Sequence, residues 1–289
     1  MSGELCWLRD GRRLGYVEYG DPAGFAVVNC HGGLACRLDV AAADGAAREA
    51  AVRLISPDRP GVGLSDPKPG RTVLDWAADA EDLMKHLGVD RFAVMGWSMG
   101  GPYAAAVGYG LRAQVSRIAI VAGALPLNEP GVFAELPPID RAYTRLSQRA
   151  PWVARQCFRT MSWVAGATPT GYGRLAARDL GAADGQVIRD EGFGAFARMS
   201  REALRQPAGV AEEYRAWMRP WGFTPEDLRV GADVWVGSED KLLDPRWPYE
   251  LARRIPQGTL HVRSGGHFMA HLHYREIFEA LRETDFANG

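Results

Sequence analysis

The run Arg91-Phe-Ala-Val-Met-Gly-Trp-Ser-Met-Gly-Gly-Pro-Tyr-Ala-Ala-Ala constrains this chain more than any other stretch. A short apolar run meets Gly96-Trp97-Ser98-Met99-Gly100 and passes straight into an alanine-rich segment. Apolar residues before the glycines predict a buried strand, and alanines after them predict a helix. A strand can turn into a helix this abruptly only where the crowded backbone carries no Cβ, so Gly96 and Gly100 flank a sharp turn with Ser98 at its tip. The helix start below Ser98 favours negative charge developing there. Gly-x-Ser-x-Gly in a strand-turn-helix context is the setting of a nucleophilic serine. The plainer role for Ser98 is to cap the helix.

The rest of the chain extends this unit into a sheet. Residues 4–20 read as a hairpin about Asp10-Gly11. From residue 25 to about 124 strands and helices alternate: FAVVNC, a helical stretch at roughly 36–50, VRLISPD, a helix over 72–87, RFAVMG, GGPYAAAVGYGLR and SRIAIVAGA. That rhythm predicts an α/β fold with a mostly parallel central sheet and helices on both faces. Residues 125–224 break it, with prolines, arginines, Trp152, Trp163, Trp217 and Trp221, helical stretches at 141–163 and 195–219, and no clear strand. The alternation resumes with ADVWVG, PRWPYELARRI, TLHVR and FMAHLHYREIFEALRE. The expected division is therefore core over 1–124, insertion over 125–224 and core again over 225–289.

Lys and Arg number 34 against 35 Asp and Glu, and neither a basic run nor a basic stripe is expected, which points away from nucleic acid. No apolar run reaches the roughly 18 residues of a membrane helix, and the opening lacks the apolar stretch of a signal peptide. The expectation is a soluble cytoplasmic protein with no membrane partner, acting on a small molecule. Oligomeric state is not legible. Cys6, Cys30, Cys36 and Cys157 are scattered, as expected of free buried thiols. His267, His271 and His273 cluster without an accompanying acidic or cysteine ligand pattern, so no metal and no cofactor is expected.

A serine hydroxyl needs a base, and the base needs a carboxylate to orient it. In Gly-x-Ser-x-Gly proteins of this kind the order is serine, acid, histidine. Four histidines follow Ser98. His261 sits inside a strand, and His271 and His273 in the last helix. His267 follows a strand in the loop Ser264-Gly265-Gly266 and is the expected base. Asp240, just beyond the strand that ends at Gly237, is the expected acid, with Glu239 and Asp244 as alternatives. Developing oxyanion charge calls for backbone donors. The Met99 amide is one candidate and the Gly33 amide, with Leu34 next to it, the other. Leu34 and Trp97 are the expected substrate contacts.

Four segments, HGG at 31–33, DRPGVGLSD at 58–66, GWSMGG at 96–101 and GSED…SGGH from 237 to 267, resemble the α/β-hydrolase superfamily. The resemblance is to its cap-bearing branch of esterases, lactonases, C–C bond hydrolases and cofactor-free perhydrolases. It implies that residues 125–224 form a helical cap. It also implies a serine hydrolase of an ester-like bond in a small apolar substrate, working through an acyl-enzyme. The alternatives are a lactonase or C–C hydrolase using the same residues, or a ligand-binding protein on a hydrolase scaffold. Ser98 stands where epoxide hydrolases and haloalkane dehalogenases of this fold carry aspartate. Leu34-Ala35 and Met99 depart from the proline iminopeptidase pattern.

Overall fold

A computed structural model describes residues 3–282. Strands β1 (Glu4–Trp7) and β2 (Arg13–Gly20) form the hairpin about Gly11, whose positive φ suits the turn. Then follow β3 (Phe25–Cys30), helix α1 (Asp44–Glu49), β4 (Val52–Pro57), α2 (Asp75–His86), β5 (Phe92–Trp97), α3 (Gly100–Gly110) and β6 (Val115–Val121). The strands form one sheet in the order β1-β2-β4-β3-β5-β6-β7-β8, with β7 spanning Ala232–Gly237 and β8 spanning Gly258–Arg263. The β1–β2 and β2–β4 pairs are antiparallel and all others parallel. Central strands such as FAVVNC and ADVWVG are nearly all buried, as a sheet covered on both faces requires.

Two apolar layers provide that cover. On one face Trp76 and Leu83 of α2, Tyr103 of α3, and Trp247 and Leu251 of the later helix α11 (Trp247–Arg254) pack together. On the other, Ala47 of α1 packs with Ile277, Phe278 and Leu281 of the last helix, α12 (Ala270–Arg282). Pairing Cys30 with Gly96, Trp97 with Val121, Val121 with Trp235 and Gly237 with Arg263 aligns the carboxyl ends of β3, β5, β6, β7 and β8. Their following loops emerge along one edge, where open α/β sheets place ligands.

Between β6 and β7 the described chain is helical. It comprises α4 (Val132–Glu135), α5 (Pro138–Arg149), α6 (Pro151–Ala167), α7 (Pro169–Asp179), α8 (Ala182–Glu191), α9 (Phe193–Ala203) and α10 (Pro207–Trp217). Proline opens α5, α6, α7 and α10, where its missing N–H costs nothing, and each proline also prevents the preceding helix from continuing. This is why the predicted stretch 141–163 breaks at Pro151 and 195–219 breaks at Pro207. Helices α11 (Trp247–Arg254) and α12 (Ala270–Arg282) complete the fold, α12 with a kink at His273.

Two other expectations change. The helix expected at 36–50 shrinks to one 3-10 turn and α1, because residues 36–39 serve as a loop. There Arg37 binds Asp58 through its backbone and side chain, and Asp39 accepts the Gly32 N–H. Three of the cysteines are buried and free, but Cys157 is exposed on α6.

Candidate active site

Ser98 has a φ of +55°, a left-handed backbone rare for a residue with a side chain. The turn is pinned on both sides: the Ser98 N–H donates to Val121 O at 2.8 Å, and the Gly101 N–H to Ser98 O at 3.0 Å. A Cβ on Gly96 would lie 2.3 Å from Gly100 O, and one on Gly100 would lie 1.9 Å from Cys30 O. The glycines are therefore required by contact, and the strained turn lifts the serine hydroxyl above the sheet edge.

The Ser98 hydroxyl donates to His267 Nε2 at 2.8 Å, and His267 Nδ1 donates to Asp240 Oδ2 at 2.9 Å. A carboxylate only accepts, so the ring proton lies on Nδ1 and Nε2 is left as the acceptor facing the serine. Asp240 is fixed in turn by the N–H groups of Leu242 and Leu243, at 2.8 and 3.2 Å. Burial acts to raise the Asp240 carboxyl, but the His267 charge and these hydrogen bonds outweigh it and hold the pKa below the usual range. Burial acts to lower the His267 imidazole, and the Asp240 charge and hydrogen bond, followed by Asp184 and Asp140, raise it above its ordinary value. The environment thus favours an imidazolium once the ring has taken a proton.

The other expected candidates lie elsewhere. Asp244 accepts the Arg246 N–H at 2.9 Å, as a turn residue does. His271 pairs with Glu191, His273 bonds Ser264 O at 3.0 Å, and His261 bonds Asp233 in the sheet at 2.9 Å. His31, first residue of the HGG motif, is fully buried. Its Nε2 accepts the Arg59 N–H at 3.1 Å, so its Nδ1 donates to Gly32 O. Burial, then the Arg59 charge, push its pKa well below the usual value, which leaves it a neutral brace for the loop.

Gly33, Leu34, Trp97, Ser98, Met99 and His267 open on one cavity of about 270 Å³. Among the described residues the Met99 and Gly33 amides donate no hydrogen bond, so both remain available to an incoming oxygen. Leu34 also has a positive φ, of +56°, which marks strain on this side of the site as well. Trp97 donates its indole N–H to His267 O at 2.9 Å and packs its ring, tilted by 43°, 4.8 Å from that of Phe268, so it braces the histidine loop besides walling the cavity. Much of the remaining wall comes from the insertion, including Tyr143, Met161, Phe196 and Trp217. Trp221 is buried instead, while Trp152 and Trp163 are each 70% exposed.

Three carboxylates of the insertion had no distinctive signal in the sequence. Asp184 of α8 accepts the Phe268 N–H at 2.8 Å and sits so close to Gly266 that a Cβ there would be 2.3 Å from its Oδ1. Asp140 of α5 lines the cavity and accepts the Tyr214 hydroxyl at 3.2 Å. Glu213 of α10 meets Arg59 at 2.6 Å with both side chains fully or nearly fully buried. Asp184 and Glu213 act across the join between insertion and core, and Asp140 faces the shared cavity from the insertion, none of which a local pattern reveals.

The model of the Alpha/beta hydrolase family matches residues 27–280. The chain belongs to that family. Among solved structures it is similar to an esterase from Thermogutta terrifontis, with a TM-score of 0.70 and 23% identity over 98% of this chain and 97% of that one. An enol-lactonase from Burkholderia xenovorans LB400 gives a TM-score of 0.70 at 19% identity over 97% and 99%. A meta-cleavage product hydrolase from Pseudomonas fluorescens IP01 gives 0.63 at 19% over 100% and 99%. At these identities the likeness speaks for the fold. No curated protein matches the chain. No helix among the described residues is long and apolar enough to cross a membrane, and no group of three or more His, Cys, Asp and Glu among them could hold a metal ion.

Proposed function

We propose that this member of the α/β-hydrolase family is a serine hydrolase that cleaves an ester-like bond in a small, largely apolar substrate. The observation that carries the reading is the unbroken hydrogen-bond chain from Ser98 through His267 to Asp240, at 2.8 and 2.9 Å. Ser98 Oγ attacks the substrate carbonyl while His267 Nε2 takes its proton. Asp240 holds the ring in the required tautomer and stabilises the imidazolium. The Met99 and Gly33 amides receive the oxyanion. His267 returns the proton to the leaving alcohol as the tetrahedral adduct collapses to an acyl-enzyme. A water molecule, deprotonated by the same nitrogen, then attacks the acyl carbon, and that proton passes to Ser98 Oγ as the acid leaves.

In this reading residues 125–224 act as a cap that supplies most of the apolar wall, and Leu34 and Trp97 touch the substrate from the core side. A lactone, or a carbon–carbon bond next to a carbonyl, presents the same electrophile to the same groups. Those reactions are distinguished by running such substrates beside p-nitrophenyl esters of increasing acyl length.

The test is intact-mass labelling with a fluorophosphonate. Wild type takes one adduct and Ser98→Ala none, with ester turnover falling about 10⁴-fold or more. A folded wild type that takes no adduct and turns over no ester refutes the reading and favours a ligand-binding protein on this scaffold.

A further inference from the structure

Between Asp140 and Asp179 the chain carries seven arginines and no aspartate, glutamate or lysine. The chain as a whole is almost balanced, so this is a local concentration of positive charge. Helix α6 lies in the middle of it. Its inner positions Ala154, Phe158 and Ala165 are buried. Trp152, Arg155, Arg159 and Trp163 recur at i, i+3, i+7 and i+11 and form one exposed stripe.

The two indoles are each 70% exposed, although tryptophan is among the side chains water favours least at a surface. The arginines between them have no carboxylate partner among the described residues; Arg159 reaches only Gln156, at 3.4 Å. Beside the stripe, Arg159, Trp163, Arg201 and Arg205 line an open groove of about 590 Å³. Arg201 lies over the last turn of α6, where a Cβ on Gly166 would be 3.1 Å from its Nε.

We infer that this face of the insertion docks on an anionic lipid surface. Unpaired guanidinium groups match lipid phosphates in charge and in hydrogen-bonding geometry. Indole rings flanking them settle at the boundary between headgroups and acyl chains. The helix would lie in the plane of the interface rather than span it, with its inner face still packed on the protein. Two large exposed rings on the same stripe favour lipid over nucleic acid or an acidic protein. The surface is separate from the Ser98 cavity, so the inference stands whether or not the proposed chemistry does.

The test is co-sedimentation of the full chain with vesicles of phosphatidylcholine alone or mixed with phosphatidylglycerol. Wild type sediments with the anionic vesicles, stays in solution with the neutral ones, and is released by salt. Trp152→Ala/Trp163→Ala and Arg155→Gln/Arg159→Gln/Arg201→Gln, each keeping the wild-type melting temperature, bind roughly tenfold more weakly or worse. The arginine variant also shows a shallower salt dependence. Wild type remaining in the supernatant with anionic vesicles overturns the inference. So does equal binding by the arginine variant, or retention on duplex DNA or polyglutamate without vesicle binding.

Discussion

Arginine has two different roles in this molecule, and the difference separates the sheet core from the helical insertion. In the core, arginines are cross-links. Arg12 holds Asp79 with bonds of 3.0 and 2.5 Å, Arg37 holds Asp58 at 2.8 Å, and Arg254 holds Glu226 at 2.6 Å. On the outside of the insertion, Arg155 and Arg159 face water without a carboxylate. Where the two regions join, carboxylates of the insertion meet cations and backbone N–H groups of the core. Glu213 reaches Arg59, and Asp184 reaches the backbone beside His267. The insertion is thus tied to the core by buried charge on its inner side and left cationic on its outer side.

The largest effect is expected from breaking the join. Arg59 also bonds Gly32 O at 3.0 Å and lies 4.5 Å from the Tyr103 ring, so it holds the HGG loop as well as Glu213. Arg71, itself buried, has Glu213 as its ion-pair partner at 3.6 Å. Glu213→Gln leaves two buried guanidinium groups without a counter-charge. The expected loss is about 3–5 kcal/mol in denaturant unfolding. A loss below about 1 kcal/mol would mean that the apolar contacts between α10 and the core hold the join without the ion pair.

A smaller effect tests how the join reaches the chemistry. Asp184→Ala removes the acceptor of the buried Phe268 N–H and costs about 1–3 kcal/mol. It also removes one of the carboxylates that raise the His267 pKa. In the proposed reaction His267 acts as the base only when neutral, so kcat/KM is expected to fall as pH drops through that pKa. The acid limb of the wild-type profile therefore lies above the ordinary imidazole value of about 6.5. Asp184→Ala and Asp140→Asn each move that limb to lower pH. A limb that stays in place in both variants would leave Asp240 as the sole source of the shift.

Asp140→Asn separates the charge from the contact, because the amide oxygen still accepts the Tyr214 hydroxyl. Burial raises the Asp140 carboxyl, with Tyr214 and His267 opposing. A carboxyl raised on folding contributes stability below its unfolded pKa and loses that contribution as pH rises through the folded value. The variant should therefore gain melting temperature relative to wild type as pH climbs above the ordinary carboxylate range.

These same residues mark what is legible in the sequence and where that legibility stops. Ser98, His267 and Asp240 each sit within a few positions of a strand end, so one-dimensional patterns place them on loops at a common edge. The structure hydrogen-bonds them together. Asp140, Asp184 and Glu213 sit on helices, and their partners are 74, 84 and 154 positions away. Each reads in sequence as an ordinary polar helix position, because its burial depends on how the insertion folds back over the sheet. The cationic face was hidden differently. No basic stripe is expected from the sequence, yet arginines spaced four apart, Arg155 and Arg159, are gathered by the helix of α6 into one exposed stripe. The short α1 has a similar cause: alanine content favours a helix at 36–50, but Arg37 is committed to Asp58 and Asp39 to the HGG loop, and tertiary contacts override propensity.

The smallest expected effect is the sharpest test of the comparison. Arg155 and Arg159 are spaced i, i+4 on α6, and like charges at that spacing destabilise a helix by about 0.2–0.5 kcal/mol. If the outer arginines contribute nothing to folding, Arg155→Gln should leave stability within about 0.5 kcal/mol of wild type, and on the stabilised side at low salt. Added salt should then erase the difference by screening the repulsion it removes. Loss of stability in Arg155→Gln would give this arginine a folding role like those of the core and remove the contrast. A neutral or stabilising result would mean that the chain retains a repulsive pair on an exposed helix for a reason outside its own fold, such as an anionic surface that the face meets.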